Sequence, residues 1–204
     1  MSSKQGESSW FSFLSNFQRG VMKPNLYEIR FNLPTGVKKP VVAVEQGVSG
    51  SALRAFNSVL NGNGGINIKC HTATFPQRTL QSFEIKQNTT PFRVPYSAIY
   101  DPVTFSFYSD ATGDTRMYFD SWQRTVCNVS SNTMNFYNEY TADIDMLIHD
   151  DAGNITYGVR LYEAWPLSVG ALDVSYSQVD NYQTIVTTMS YRRWIQLDVN
   201  KINK

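Results

Sequence analysis

The chain has 204 residues, of which 42% are hydrophobic, 14% aromatic and 17% charged, and its formal net charge is +1. That is enough chain for one sizeable core rather than two, too apolar for disorder, and too neutral for the basic field with which a tight nucleic-acid binder displaces counterions. The two cysteines, Cys70 and Cys127, stand far apart in unlike contexts and are expected to be free thiols, as in a reducing compartment. No apolar run reaches signal-peptide or membrane-span length, so folding in a cytoplasm is expected, and the Asn-X-Ser/Thr triplets at Asn88, Asn128 and Asn154 read as chance.

The first element is a short helix over 9–19, with Trp10, Phe13, Leu14 and Phe17 at i, i+3, i+4, i+7 on one face, Ser8 or Ser9 as cap and Gly20 as stop. A helix of this length needs docking for its aromatic stripe, on its own domain or on an adjacent subunit. Tyr27, Ile29, Phe31 and Leu33 alternate with Glu28, Arg30 and Asn32 as a half-buried strand, which Pro34, Gly36 and Pro40 end. Residues 41–65 read as an inserted excursion carrying a short helix, with Leu53, Phe56 and Leu60 at helical spacing and Asn61-Gly62 as its stop. The tract Asn61-Gly62-Asn63-Gly64-Gly65 lacks the Lys-Ser/Thr of a phosphate cradle.

From Ile66 onward strand follows strand. Ile66, Ile68 and Cys70 alternate with Asn67, Lys69 and His71; Phe83 and Ile85 alternate within 79–87; Phe92 to Tyr96 forms a short edge piece between Pro91 and Pro95; Val103, Phe105 and Phe107 alternate again. Asp110 to Asp114 is expected to supply the turn and cap of the one convincing helix of the body, on which Tyr118, Trp122 and Val126 face a sheet. A long hairpin follows over 139–163. Tyr140, Ala142, Ile144, Met146 and Ile148 alternate with Glu139, Thr141, Asp143, Asp145 and Leu147, Asp150 to Asn154 turns, and Ile155 to Leu161 returns. A last strand pair, Leu172–Ser177 and Tyr182–Trp194, closes the domain.

Chemistry-bearing clusters are few. His71 and His149 stand alone, Cys70 points away from its neighbour His71 across a strand, and no nucleophile elbow is present. Glu139, Asp143, Asp145, Asp150 and Asp151 are the candidates for acid–base work, but Glu139, Asp143 and Asp145 recur with strand period and so read as the polar face of one strand. The expectation is a structural protein with no catalytic residues, no metal and no cofactor.

Four blocks, in order, carry a resemblance. Lys23-Pro24-Asn25-Leu26-Tyr27 is a basic-Pro-Asn-Leu-aromatic opening; Cys70-His71-Thr72-Ala73 precedes Pro76; Tyr100–Gln123, with Phe105, Asp114, Phe119 and Trp122, forms a strand-plus-helix core; and Trp165-Pro166-Leu167-Ser168-Val169-Gly170 leads to a strand ending in Tyr191-Arg192-Arg193-Trp194. Over roughly 20–194 the chain resembles the tail tube proteins of contractile-tailed, T4-like bacteriophages. Residues 35–65, as an insertion, and the long tail 195–204 depart from that pattern. The resemblance implies a single mainly β domain over 1–204, an antiparallel sandwich or barrel with one flanking helix and an N-terminal arm over 1–22.

It also implies a structural virion protein. Its hexameric rings would stack into a tube inside a contractile sheath, with sheath, baseplate, terminator and tape-measure proteins as partners. Double-stranded DNA would pass through the lumen without tight binding. Assembly would take place in the bacterial host cytoplasm. Glu139, Thr141, Asp143, Asp145 and Arg160 are the candidates for the lumen wall, acidic and partly offset by Arg160. Trp10, Phe13, Phe17, Leu53 and Phe56 are the candidates for contacts between subunits. Other readings are a baseplate protein that initiates the tube, the inner tube of a phage-derived injection or secretion machine, or a β-sandwich binding module.

Overall fold

The computed structural model describes residues 22–32, 34, 70–87, 90–111, 113–177 and 179–198. The helix expected over 9–19 and the excursion over 41–65 lie outside these residues, and with them Trp10, Phe13, Phe17, Leu53 and Phe56.

Eleven strands and two helices are described in chain order: β1 (Tyr27–Phe31), β2 (Cys70–Ala73), β3 (Arg78–Gln87), β4 (Thr90–Tyr100), β5 (Val103–Tyr108), α1 (Asp114–Val126), β6 (Cys127–Asn128), β7 (Thr133–Met134), α2 (Tyr137–Tyr140), β8 (Ala142–His149), β9 (Ile155–Val169), β10 (Thr184–Ser190) and β11 (Arg193–Gln196). The fold is mainly β and antiparallel with one substantial helix. Seven strands form one sheet in the order β1-β8-β9-β10-β5-β2, with β11 also on β9, while β3–β4 and β6–β7 are separate two-stranded ribbons.

Strand β9 joins the two halves of the sheet. Its first part pairs with β8 and, through Val159–Tyr162, with β11, whereas Trp165–Val169 pairs with β10. The change of partner falls between Ala164 and Trp165, next to Glu163, whose φ of 55° is uncommon for a residue with a Cβ. Strand β8 and the turn between β10 and β11 hold it there. Its N–H donates to Asp143 Oδ1 at 3.1 Å, and its carboxylate accepts from the Arg192 guanidinium at 2.9 Å.

Alternation places the core between the two halves. Val103, Phe105 and Phe107 pair with Met189, Thr187 and Ile185, and all six are buried. Ile29, Ile144, Met146, Val159 and Leu161 face them from the other half. Helix α1 closes the core with Tyr118, Phe119 and Trp122, all fully buried, and Phe119 packs 5.0 Å from Phe107 and 6.4 Å from Phe31.

The turn and cap of α1 lie within 110–114 as expected: the Gly113 N–H returns to the Asp110 carbonyl at 3.0 Å, and Gly113, whose φ of 72° a glycine adopts without strain, holds the cap position. The structure corrects three other expectations. Glu139 and Tyr140 belong to α2 rather than to a strand. The Thr141 N–H and hydroxyl both return to the Tyr137 carbonyl, and the Trp122 indole N–H takes the Tyr140 carbonyl at 2.6 Å, so β8 begins only at Ala142. Strand β4 runs eleven residues through both prolines, because among the described residues no third strand asks for their missing N–H groups. Residues 172–177 form no strand, and the last pair is instead β10 and β11, interrupted at Tyr191–Arg192.

Leu147 belongs by parity to the outward row, yet it is buried. It lies across Gly158, where a Cβ would stand 2.8 Å from Leu147 Cδ2 and 3.4 Å from Leu197 Cδ1. Gly158→Ala is therefore expected to overpack this spot and cost about 1–3 kcal/mol, read as a lower urea midpoint at unchanged slope.

Candidate functional site

The outward face of β1, β8, β9 and β11 carries a row of charged side chains. Register sets Arg30 opposite Asp145 and Asp145 opposite Arg160, with Ile195 beyond Arg160 and Arg193 beside Tyr162. Arg160 forks onto both Asp145 oxygens at 2.6 and 2.7 Å, which holds its guanidinium above even the ordinary arginine range. Arg30 forks onto Glu28 at 2.7 and 3.0 Å; that bond holds the Glu28 carboxyl below its usual range, and His149 Nε2 adds a contact at 3.3 Å. Arg193 lies over the Tyr162 ring at 5.3 Å. The row is thus ion-paired across strands rather than a bare acidic strip.

Of the five residues expected together, Asp143, Asp145 and Arg160 meet on this face. Glu139 is exposed on α2, and Thr141 spends its hydroxyl on the α2 turn. Arg30 and Glu28 belong to the row although the sequence reading passed over them. Their alternation in 27–33 put them on the polar side of a strand, but only the pairing of β1 with β8 sets them beside Asp145.

The outward face of the other half differs in kind. Thr104 and Ser106 on β5, Thr184, Val186 and Thr188 on β10, and Ser168 on β9 line up by register without a charged side chain among them.

Among the described residues, two sets of apolar groups stand largely exposed. The ribbon β3–β4 pairs Phe83 with Val94 and Ile85 with Phe92 on one face, and Ser82 with Pro95, Glu84 with Arg93 and Lys86 with Pro91 on the other. Phe83 and Phe92 are each 48% exposed. Between β9 and β10, Leu172, Val174, Tyr176, Val179 and Tyr182 are exposed as well. An isolated two-stranded ribbon is marginal in water, and monomeric proteins rarely leave such apolar surface bare.

The edge strands β1 and β2 approach through one side chain, the Tyr27 hydroxyl, which lies 2.7 Å from the His71 carbonyl oxygen and 3.0 Å from that of Cys70. Both cysteines are free, and burial pushes the Cys70 thiol up to about 12, so it is not a poised nucleophile. Among the described residues, no three His, Cys, Asp or Glu side chains converge as a metal site, and no helix is long and apolar enough to cross a membrane.

The family model described as phage tail tube protein matches residues 22–197. No curated protein matches the chain. Solved structures share the fold at low identity. A chain of the anti-feeding prophage baseplate aligns with a TM-score of 0.57 and 11% identity, over 85% of this chain and 93% of that one. A chain of the sheath/tube terminator of the extracellular contractile injection system PVC aligns at 0.57 and 11%, over 87% and 97%. One from the sheath–tube complex of that system aligns at 0.54 and 12%, over 87% and 91%.

Proposed function

This chain belongs to the phage tail tube protein family, and on that premise we propose that it builds the inner tube of a contractile tail of the T4-like kind, as hexameric rings stacked inside a sheath. The tape-measure protein and then double-stranded DNA pass through the lumen, and the chain performs no catalytic step. The observation that carries this reading is the pair of exposed apolar projections among the described residues, surface of the kind that neighbouring copies would bury. The solved relatives occur in a sheath–tube complex and with a terminator, which supports sheath and terminator proteins as partners beside the baseplate. Because those relatives come from injection machines, the inner tube of such a machine is the second reading. Residues 9–19 and 41–65 are assigned to contacts with adjacent subunits, through Trp10, Phe13, Phe17, Leu53 and Phe56. The place of assembly is the host cytoplasm and the final location the virion tail.

The ion-paired face of β8 and β9, with Asp143, Asp145 and Arg160, is assigned to the lumen wall. Paired charges suit a conduit, since a wall that is neither basic nor bare of charge gives phosphates no sink in which to stop. In a Cys70→Ala, Cys127→Ser background, Arg30→Cys reports on this face and Thr188→Cys on the other. A polymer-bearing maleimide is expected to label Arg30→Cys at least tenfold more slowly in assembled tubes than in free subunits, and Thr188→Cys at nearly equal rates. The reverse pattern would move the wall to the hydroxyl face.

A further inference from the structure

Residues 171–177, Ala-Leu-Asp-Val-Ser-Tyr-Ser, carry a strand pattern that the isolated chain leaves unused. Leu172, Val174 and Tyr176 alternate with Asp173, Ser175 and Ser177, yet every residue of the segment is exposed, Val174 at 87% and Tyr176 at 107%. None of them takes a ladder partner among the described residues. We propose that this segment adds as a third strand to the β3 edge of the ribbon of a neighbouring copy of the chain. The proposal rests on the tube reading above and names the contact by which copies join.

The ribbon selects that edge. Strand β4 carries Pro91 and Pro95, which have no N–H to give a further strand, whereas β3 carries no proline from Arg78 to Gln87. The free edge is long enough: ten residues of β3 span about 33 Å and seven residues of the segment about 23 Å. The faces match in kind. With Leu172, Val174 and Tyr176 continuing the row of Phe83, Ile85, Phe92 and Val94, Asp173 falls on the side that holds Lys86 and Arg93 against the single carboxylate of Glu84. A third strand also supplies what a two-stranded ribbon lacks for stability.

Geometry makes the partner a second copy. The ribbon leaves the body beside Val103, at the end of β5 where Met189 pairs and Tyr100 packs 6.2 Å from Tyr191. The segment leaves at the opposite end, where Gly170 N–H donates to the Val186 carbonyl at 2.7 Å and the return passes Tyr108, 5.0 Å from Tyr182. The two therefore project from opposite ends of the β5–β10 pair, separated by the six residues of β5, about 20 Å of strand. A donor at one end and an acceptor at the other make a head-to-tail contact, the kind that produces rings or filaments rather than closed dimers.

Disulfide trapping tests this. Ser175→Cys is combined in turn with Ser82→Cys, Glu84→Cys and Lys86→Cys in one chain, in a Cys70→Ala, Cys127→Ser background that removes both native thiols, and oxidised after assembly. At least one pair is expected to give a ladder of disulfide-linked trimers and higher multimers on a non-reducing gel, while each single-cysteine chain stops at dimer. Tubes without a ladder from any of the three pairs would overturn the strand assignment and leave the tube reading standing. A link that runs at monomer size would overturn it by placing the segment on its own ribbon. Val174→Pro supplies an independent readout. It lies on an exposed stretch, so its Tm is expected to shift by less than about 2 °C, while assembly is lost; assembly at the wild-type concentration would contradict the proposal. If the wild-type chain forms neither rings nor tubes, it is the tube reading that fails.

Discussion

Replacing Trp122 by alanine is expected to cost about 3–5 kcal/mol, a large share of the stability of a domain this size. Three things depend on that indole. It is fully buried and fills the space between α1 and the sheet. Its ring meets Tyr118 edge-on at 5.9 Å, one of the aromatic contacts that fix the angle of the helix. Its N–H donates to the Tyr140 carbonyl at 2.6 Å, where the chain leaves α2 and is about to enter β8. Trp122→Ala therefore opens a cavity and orphans a carbonyl at the start of a central strand. Trp122→Phe keeps most of the volume and loses the N–H, and should cost less than half as much. Urea unfolding of the free subunit measures both. Equal losses would mean that the hydrogen bond, rather than the packing, dominates at this site.

The second large effect falls on assembly and leaves folding alone. Phe83→Ser with Phe92→Ser removes the two phenylalanine rings from the apolar face of the ribbon and leaves Ile85 and Val94. The ribbon shares no ladder with the other described strands, and these two side chains are half exposed in the free chain, so subunit stability should change by about 0.5 kcal/mol or less. Each buried aromatic side chain is worth about 1.5–3 kcal/mol at an interface. The critical concentration for tube formation is thus expected to rise at least a hundredfold. Sedimentation across a concentration series reads this directly. Unchanged assembly would show that the ribbon is not a contact between copies.

How much of this was legible in the residues varies with the kind of signal. Alternation in 103–107 and 142–148 and the i, i+4, i+8 stripe Tyr118-Trp122-Val126 located the core strands and α1, because burial on one face imposes a period that survives in sequence. Alternation over-reached at both ends of that pattern. It ran on into Glu139 and Tyr140, where a helical turn and the Trp122 indole claim the same backbone groups. It also marked 172–177 as a strand that finds no partner within the described chain. Prolines were read as boundaries of a short piece, yet an edge strand tolerates them, and β4 runs past both. The candidate wall was half legible: Asp143, Asp145 and Arg160 could be placed on facing polar rows. The fork of Arg160 onto Asp145 depends on the register of β8 against β9, and the place of Arg30 beside Asp145 on that of β1 against β8, which no local pattern encodes.

The central claim, that this chain is a tube subunit, is tested most directly by cryo-electron microscopy of the purified full-length protein across a concentration series. The account predicts hollow tubes of stacked six-subunit rings, with the ribbon β3–β4 of each copy covered by a neighbour. A protein that stays monomeric at every concentration, or stops at a closed dimer with the ribbon still bare, would contradict it.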